Sequence, residues 1–381
     1  MKGWLNCYIG NSKNFVIFIL LIAIIILSGC IKEKTSHPQP SLNHDFQYDK
    51  ETPGAKEIFP ITNMQGVFSE VSGWIDNERI LYVMNRSEGS FIHMYHLSTG
   101  ESELLYESEY PIVNTMISPT KDQVLIHSSP SSYVGEIKII SIDGVLLYET
   151  RVDSFELEFS WNQENENEIL VTAFYEDWTF SSFILNSKEQ NIIEIELSQP
   201  FILWPVEDDI LYLNWDTSDL TLHAALVKES ITYGEKQEIV SSAHFIDSSR
   251  DFIIAVQTNI REPENAMYTI FNKEFEQVSL FKVNQLSQFS GWLVPYFDLI
   301  DSKQIILQFR PQSSGDADLY MNGFRLIEFS LMDGQEEVVF SDLENAPISC
   351  SPNGGLCLYG YQFEKLIDVK QKNIIDLIEN K

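Results

Sequence analysis

The sequence predicts an all-β fold, a β-propeller made of repeated four-stranded blades. Its strands are rich in Ile, Val, Leu, Phe and Tyr, which suit a pleated, half-buried surface. Seven units of four strands recur, and their equivalent positions are Trp74, Ser118, Trp161, Trp204, Phe245, Trp292 and Ser351. These positions are separated by 44, 43, 43, 41, 47 and 59 residues, so five of the six spacings lie close to one period. A period near forty residues per four strands is that of a propeller blade.

A single four-stranded sheet cannot bury both of its faces, whereas sheets stacked around an axis bury them against each other. We therefore predict a propeller of seven blades, with six blades as the alternative count. Two β-sandwiches of ordinary antiparallel strands are the alternative fold. The four tryptophans at the recurring position are expected to pack between blades.

The N-terminal segment has the pattern of a secretion signal. Thirteen consecutive apolar residues, FVIFILLIAIIIL (15–27), are too few to span a membrane and match the core of a signal peptide. The following Leu27-Ser28-Gly29-Cys30 resembles the lipobox of bacterial lipoproteins. That resemblance implies cleavage before Cys30 and a diacylglyceryl anchor, with palmitate-type acyl chains, on its thiol.

Three segments follow from this pattern. Residues 1–29 are predicted to be the lipoprotein signal peptide, and residues 30–55 the lipidated Cys30 with a flexible, proline-containing tether. Residues 56–381 then form the propeller. The expected location is the cell membrane, lipid-anchored, on the extracytoplasmic side and exposed at the cell surface.

The chain is strongly acidic. It carries 25 Lys and Arg against 56 Asp and Glu, a net charge of −31, and removing Lys2 and Lys13 with the signal leaves −33. Nucleic acid is excluded as a partner, because phosphates are bound through Lys and Arg. The same charge argues against adsorption to an anionic bilayer.

Two segments resemble a known repeat. The pattern S-P-x-x-x-x-x-L in ISPTKDQVLIH, and in SPNGGLCLYG near the C-terminus, is similar to the repeat of TolB-like propellers. Lipobox, tether and degenerate propeller together resemble the YqgU-like β-propeller lipoproteins of Gram-positive bacilli. That family is six-bladed, whereas the repeats counted here number seven.

No common catalytic motif is present. The elbow G-x-S-x-G, the P-loop, G-x-G-x-x-G and H-E-x-x-H are all absent, so we predict no catalytic residues, no metal and no cofactor. His93 and His96 are three apart on a predicted strand and point to opposite faces. Asp177 and Asp216, in equivalent loops, are the carboxylate pair to test for a hydrolase.

The loops after the second strands suggest a binding face. Arg86, Arg261 and Arg310 follow the second strand of their units, where Trp178 and Trp215 also lie. Arginine with aromatic residues is typical of a binding surface, although surface ion pairs with neighbouring carboxylates explain the arginines equally well.

Cys350 and Cys357 flank a predicted hairpin. A two-residue turn at Asn353-Gly354 would make them a hydrogen-bonded pair with widely separated Cβ atoms, which favours unbridged thiols.

Taken with the missing catalytic motifs, the fold favours a membrane-tethered binding or scaffold module for an envelope protein or glycan. The alternative is an extracytoplasmic hydrolase of glycan or peptide that uses channel carboxylates. The ligand, the physiological process, the face used and the oligomeric state stay open.

Overall fold

The structure is a computed structural model that describes residues 57–62, 64–216, 221–259 and 261–379. All of them belong to the compact unit Lys56–Lys381. Cys30 and the predicted signal peptide lie outside the described residues. Among the described residues, no helix has both the length and the apolar character needed to cross a membrane.

The described chain forms seven antiparallel sheets of one kind, six of them four-stranded and one three-stranded, in which the strands pair in chain order. Sheet 1 contains β1 (Val67–Trp74), β2 (Arg79–Arg86), β3 (Gly89–His96) and β4 (Ser102–Ser108). Sheet 2 contains β5 (Ile112–Ile117), β6 (Gln123–Ser131), β7 (Val134–Ser141) and β8 (Leu146–Asp153). Sheet 3 contains β9 (Glu156–Trp161), β10 (Glu168–Phe174), β11 (Phe180–Asn186) and β12 (Asn191–Ile195).

Sheet 4 contains β13 (Asp209–Asn214), β14 (Ala224–Ser230) and β15 (Lys236–Ala243), and its innermost position is the single bridge of Leu203 with Leu211. Sheet 5 contains β16 (Phe245–Ser248), β17 (Ile253–Asn259), β18 (Glu262–Phe271) and β19 (Gln277–Asn284). Apart from these seven sheets, a small sheet combines β20 (Leu286–Gln288), β21 (Gly291–Leu293) and β24 (Gly315–Asp316).

Sheet 6 contains β22 (Phe297–Ile300), β23 (Ile305–Pro311), β25 (Phe324–Ser330) and β26 (Glu336–Leu343). Sheet 7 contains β27 (Ile348–Cys350), β28 (Leu356–Tyr359), β29 (Lys365–Asp368) and β30 (Asn373–Asp376). Two short 3-10 helices cover Asp301–Lys303 and Ala317–Leu319. The seven sequence units correspond to these seven sheets.

The sixth unit begins later than we predicted. Trp292 lies in β21 of the small sheet, and the first strand of sheet 6 is β22. The uncharged stretch 285–296 forms a hairpin of its own, which pairs in parallel with β24 from a distant loop. Phe245 is also displaced, because it begins β16, whereas Trp74 ends β1.

Three of the recurring tryptophans pack between sheets, as predicted. Trp74, Trp161 and Trp204 are each only 2% exposed. Trp161 packs with Leu125 of sheet 2, and Trp204 packs with Leu170 of sheet 3. Their indole rings therefore fill the space between neighbouring sheets.

Sheets 1 and 7 are joined, which closes the ring. The Val71 amide donates to the Gln362 carbonyl at 3.0 Å, and side chains of both sheets share one apolar cluster. The segment before β1 adds a further contact with the C-terminal end of the chain, because the Ile61 amide donates to the Leu377 carbonyl at 2.7 Å. Ile61 also forms a parallel bridge with Ile378.

The prediction of unbridged thiols is wrong, because Cys350 and Cys357 form a disulfide. The hairpin closes at Ser351, whose amide donates to the Leu356 carbonyl at 2.8 Å, so its loop has four residues and not two. Cys350 and Cys357 are therefore a non-hydrogen-bonded pair, with Cα atoms 3.9 Å apart. That pairing brings side chains together, which allows the bridge.

Candidate binding rim

The two edges of the propeller carry different loops. The loops that connect one sheet to the next lie at the same end of the antiparallel sheets as the loops between second and third strands. We call this end the upper rim. Loops between first and second strands, and between third and fourth, form the lower rim. Both rims are continuous around the ring, because every sheet has the same strand order.

Exposed apolar side chains are concentrated on the upper rim. In its described loops the large exposed ones are Tyr133, Phe155, Trp178, Phe201, Trp215, Leu222, Phe289, Tyr296, Leu319, Met321 and Tyr361. In the described loops of the lower rim they are Val145, Tyr233 and Met332. Several are almost fully accessible, such as Trp178 at 86% and Phe289 at 104%. An apolar surface of this kind, bordered by polar residues, marks an interaction site.

The upper rim is also acidic. Its described loops contain Glu88, Glu109, Glu176, Asp177, Glu196, Asp216, Asp316, Asp318, Glu344 and Glu364. Arg261 is the one Lys or Arg in those loops as described. The lower rim mixes both signs, and its basic residues are Lys121, Lys188, Arg250, Lys273, Lys303, Lys370 and Lys372. The described loops of the upper rim thus combine aromatic surface with net negative charge.

Arg310 does not belong to the exposed surface of the upper rim. The prediction that it forms a binding site with Arg86 and Arg261 is therefore wrong for Arg310. Its side chain is buried in β23, where Nη1 donates to Glu336 Oε1 at 2.5 Å and Nε donates to Gln308 Oε1 at 3.1 Å. The guanidinium also lies 5.0 Å from the centre of the Phe281 ring. Strand alternation directs this side chain between sheets 5 and 6, which the sequence spacing alone did not reveal.

The other predicted binding residues lie on four different sheets. Arg86, at the end of β2, sits 4.3 Å above the Phe91 ring and 3.8 Å from Glu88. Arg261 is exposed in the turn between β17 and β18. Trp178 belongs to the β10–β11 loop of sheet 3, and Trp215 to the β13–β14 loop of sheet 4. They share the upper rim but not one pocket, and their role in binding stays a prediction.

Two cavities on this rim lie on either side of β9, the inner strand of sheet 3. A cavity of about 240 Å³ lies between sheets 3 and 4 and is lined by Leu170, Thr172 and Phe201. A second cavity, of about 250 Å³, lies between sheets 2 and 3 and is lined by His127 and Leu157. Glu158 lines both, so the two cavities meet at β9.

Two carboxylates project from β9 at the junction of these cavities. Glu156 and Glu158 are both exposed, and neither makes an ion pair or side-chain hydrogen bond with the described residues. Partial burial raises the pKa of Glu158, and the neighbouring Glu156 raises it further. A cation placed between them would offset the repulsion of the two carboxylates.

Aromatic rings border the same place. Phe155, just before β9, is 60% exposed, and its ring centre lies 6.5 Å from that of Tyr133. Phe201, across the first cavity, is 66% exposed and lies 5.6 Å from Phe174. The sequence predicts LEFSWNQ (157–163) only as a strand. The missed signal is the alternation of Glu156 and Glu158 with apolar residues on an inner strand.

Carboxylates also lie near the centre of the ring. Burial raises the pKa of Asp298, in β22, to about 7, even though its Oδ2 accepts a hydrogen bond from the Cys350 amide at 2.6 Å. Asp247 of the neighbouring sheet raises that pKa, and Lys121 lowers it. Lys121 comes from sheet 2, across the ring, so these groups share the central space.

The proposed hydrolase pair has a different environment. Asp177 is exposed and accepts hydrogen bonds from the Thr179 hydroxyl and amide, which hold its pKa below the ordinary value. A general acid needs the opposite shift. Asp216 is exposed in the following sheet. Among the described residues, no three His, Cys, Asp or Glu side chains are grouped to hold a metal.

Radially arranged antiparallel sheets, in which the first sheet packs against the last, define a β-propeller. The model of the YqgU-like 6-bladed beta propeller domain matches residues 96–360, and the chain belongs to that family. The matched residues include sheets 2 to 6 in full and parts of sheets 1 and 7. The family's description thus gives six blades, our alternative count, where the described residues form seven blade-like sheets and one small sheet.

Three relatives illustrate the similarity. The chain is 24% identical over 364 residues to the uncharacterized lipoprotein YqgU of Bacillus subtilis (strain 168), covering 95% of this chain and 97% of that one. The crystal structure of the uncharacterized protein lmo1340 from Listeria monocytogenes EGD-e superposes with a TM-score of 0.78 at 22% identity, covering 85% of this chain and 98% of that one. The β-propeller domain of the Trilobed protease from Pyrococcus furiosus superposes with a TM-score of 0.56 at 12% identity. That match covers 82% of this chain and 98% of the other. These two structures support the fold.

Proposed function

We propose that this protein is a membrane-anchored, extracytoplasmic lipoprotein whose upper rim binds a protein or glycan of the cell envelope. The observation that carries the proposal is the asymmetry between the rims: exposed aromatic and aliphatic side chains are frequent on one and sparse on the other. Exposed apolar surface costs solubility, so its concentration on one face favours a binding role.

Two observations support the extracytoplasmic location. The relative from Bacillus subtilis is named a lipoprotein, and the present chain has Leu27-Ser28-Gly29-Cys30 after an apolar core. The Cys350–Cys357 disulfide also favours an oxidising compartment, since such bridges are rare in the cytoplasm.

Site-specific photocrosslinking in intact cells tests this proposal. A photoreactive phenylalanine analogue would replace Trp178 or Phe289 on the upper rim, and Tyr233 or Met332 on the lower rim as matched exposed controls. We expect discrete crosslinked products from the upper-rim positions only. Crosslinks from the lower rim alone, or from neither rim, would refute the proposal.

A hydrolase that uses channel carboxylates is the second candidate. It is favoured by Asp298, because a pKa raised to about 7 suits a general acid at neutral pH. Release of products from purified wall glycan and peptide fragments, compared between wild type and D298N, tests it. No release by the wild-type protein would exclude this activity on those substrates.

A further inference from the structure

We infer that the two cavities beside β9 form a subsite for a basic, partly apolar polypeptide segment of the partner. One Lys or Arg side chain of that segment would lie between Glu156 and Glu158, with apolar neighbours in the cavities. This inference rests on the proposed role of the upper rim and specifies the chemistry of its ligand.

The size of the cavities favours side chains over a small molecule. Their volumes are about 240 and 250 Å³, whereas pockets for drug-sized ligands occupy about 300–1,000 Å³. The lining of the first cavity is largely apolar, as at Leu170 and Phe201, whereas the second combines apolar side chains such as Leu157 with a larger number of polar ones. Two cavities on either side of one strand suit two anchoring side chains of one extended segment.

The charge of the site determines the charge of the segment. The Glu156 and Glu158 carboxylates have no partner among the described residues, and each is accessible. The two carboxylates also repel each other, which contributes to the raised pKa of Glu158. A single ammonium or guanidinium group would satisfy both carboxylates and remove this repulsion.

A buried polar group in the second cavity points to a ligand independently. His127 is only 6% exposed, and its Nδ1 is buried without a hydrogen-bond partner. Burial lowers the pKa of His127 to about 4, so the ring is neutral at pH 7. A buried polar side chain that no described residue satisfies is uncommon in a native protein. Because the His127 ring lines the cavity, a ligand bound there would contact this neutral imidazole.

The flanking aromatic rings fit the same ligand. Phe155 and Phe201 are more than half exposed at the mouths of the cavities, and Tyr133 lies beside Phe155. Aromatic faces attract cations as well as apolar side chains. A segment with a basic residue between apolar residues would therefore gain contacts from every element of this site.

Synthetic peptides test the inference. The probe is a fluorescein-labelled peptide with Leu-Ser-Lys-Ser-Phe flanked by Gly-Ser spacers, because alternate residues of an extended segment face the same side. Its matched controls carry Glu or norleucine in place of Lys. A glucosamine tetramer serves as the carbohydrate competitor. Fluorescence anisotropy on the folded extracytoplasmic protein would be measured up to about 1 mM, the weak end of specific affinity.

We expect the Lys peptide to bind and the Glu peptide not to bind. The double variant E156Q/E158Q should weaken the Lys peptide at least tenfold, while E176Q/E196Q, which removes two other exposed carboxylates of the same rim, should not. Thermal unfolding of both variants checks that each one folds.

Three results would overturn the inference. They are absence of Lys-peptide binding up to about 1 mM, equal binding to wild type and E156Q/E158Q, and tighter binding of the glucosamine tetramer than of the peptide. The third result would assign the site to a cationic glycan. If upper-rim crosslinks persist in cells under any of these results, the proposed function stands and only the peptide assignment fails; if those crosslinks are missing, the proposed function fails.

Discussion

The indole Nε1–H of Trp74 donates to the backbone carbonyl of Ser349 at 2.8 Å, across 275 positions of the chain. Trp74 ends the first strand of sheet 1, and Ser349 lies in the first strand of sheet 7. One hydrogen bond therefore joins the two ends of the ring, in a place where Trp74 is almost fully buried.

Loss of this contact should weaken ring closure. W74F keeps most of the aromatic volume and leaves the Ser349 carbonyl without its donor, so we expect a loss of about 1–3 kcal/mol in the free energy of unfolding. Urea unfolding measures it, with W178F on the exposed upper rim as the control. An unchanged midpoint for W74F would show that closure does not depend on this bond.

The disulfide should stabilise sheet 7. C350A/C357A removes the cross-link of a short loop, and we expect a loss of about 2 kcal/mol from the greater entropy of the unfolded chain. Thermal unfolding with and without a reducing agent checks this. The reductant should lower the midpoint of the wild type and leave that of the double variant unchanged; a reductant effect in both would contradict the assignment.

Burial of His127 predicts a stability that depends on pH. Its pKa is about 4 in the folded protein and about 6.5 when unfolded, so the unfolded chain binds the proton more readily between those values. The contribution of neutral His127 to the free energy of unfolding is fully present above pH ~6.5 and declines as the pH falls toward 4. The total is at most about 3 kcal/mol.

H127L should therefore lose less stability than wild type between pH 7 and pH 4. The difference in unfolding free energy between the two proteins, measured at several pH values, isolates this group from the many carboxylates. Parallel curves for wild type and H127L would contradict the prediction.

Arg310 should act in stability and not in binding. R310A would leave the buried Gln308 oxygen without its donor and remove the contact with the Phe281 ring, whereas water can solvate the half-exposed Glu336, so we expect a loss of about 1–3 kcal/mol. R310M, which retains the packing of the stem, should lose less. If R310A unfolds at the wild-type denaturant concentration but loses peptide binding, this structural assignment is wrong.

The membrane anchor should depend on Cys30. Because Leu27-Ser28-Gly29-Cys30 resembles a lipobox, we expect C30A to abolish fatty-acid labelling and to accumulate as the unprocessed precursor. Metabolic labelling with a fatty-acid analogue measures this, with C350A as a cysteine control. Equal labelling of C30A and wild type would contradict the lipoprotein assignment.

Local periodicity alone was enough to predict the repeated four-stranded unit and the burial of Trp74, Trp161 and Trp204. Strand pattern and spacing are local properties, and a two-residue alternation determines which side chains face a neighbouring sheet. The exception was the sixth unit, where β20 and β21 pair with the distant β24. Pairing between remote segments leaves no periodic signal.

Only the tertiary structure decided the site. The positions of Glu156 and Glu158 in the chain do not show that two cavities meet beside them, since those cavities are formed by sheets 2, 3 and 4 together. The burial of Arg310 likewise depended on the direction of its side chain. The Cys350–Cys357 bridge depended on the length of one hairpin loop. These features depend on how the sheets pack around the ring. Packing, and not composition, determines which charged side chains have a partner within the protein and which face solvent.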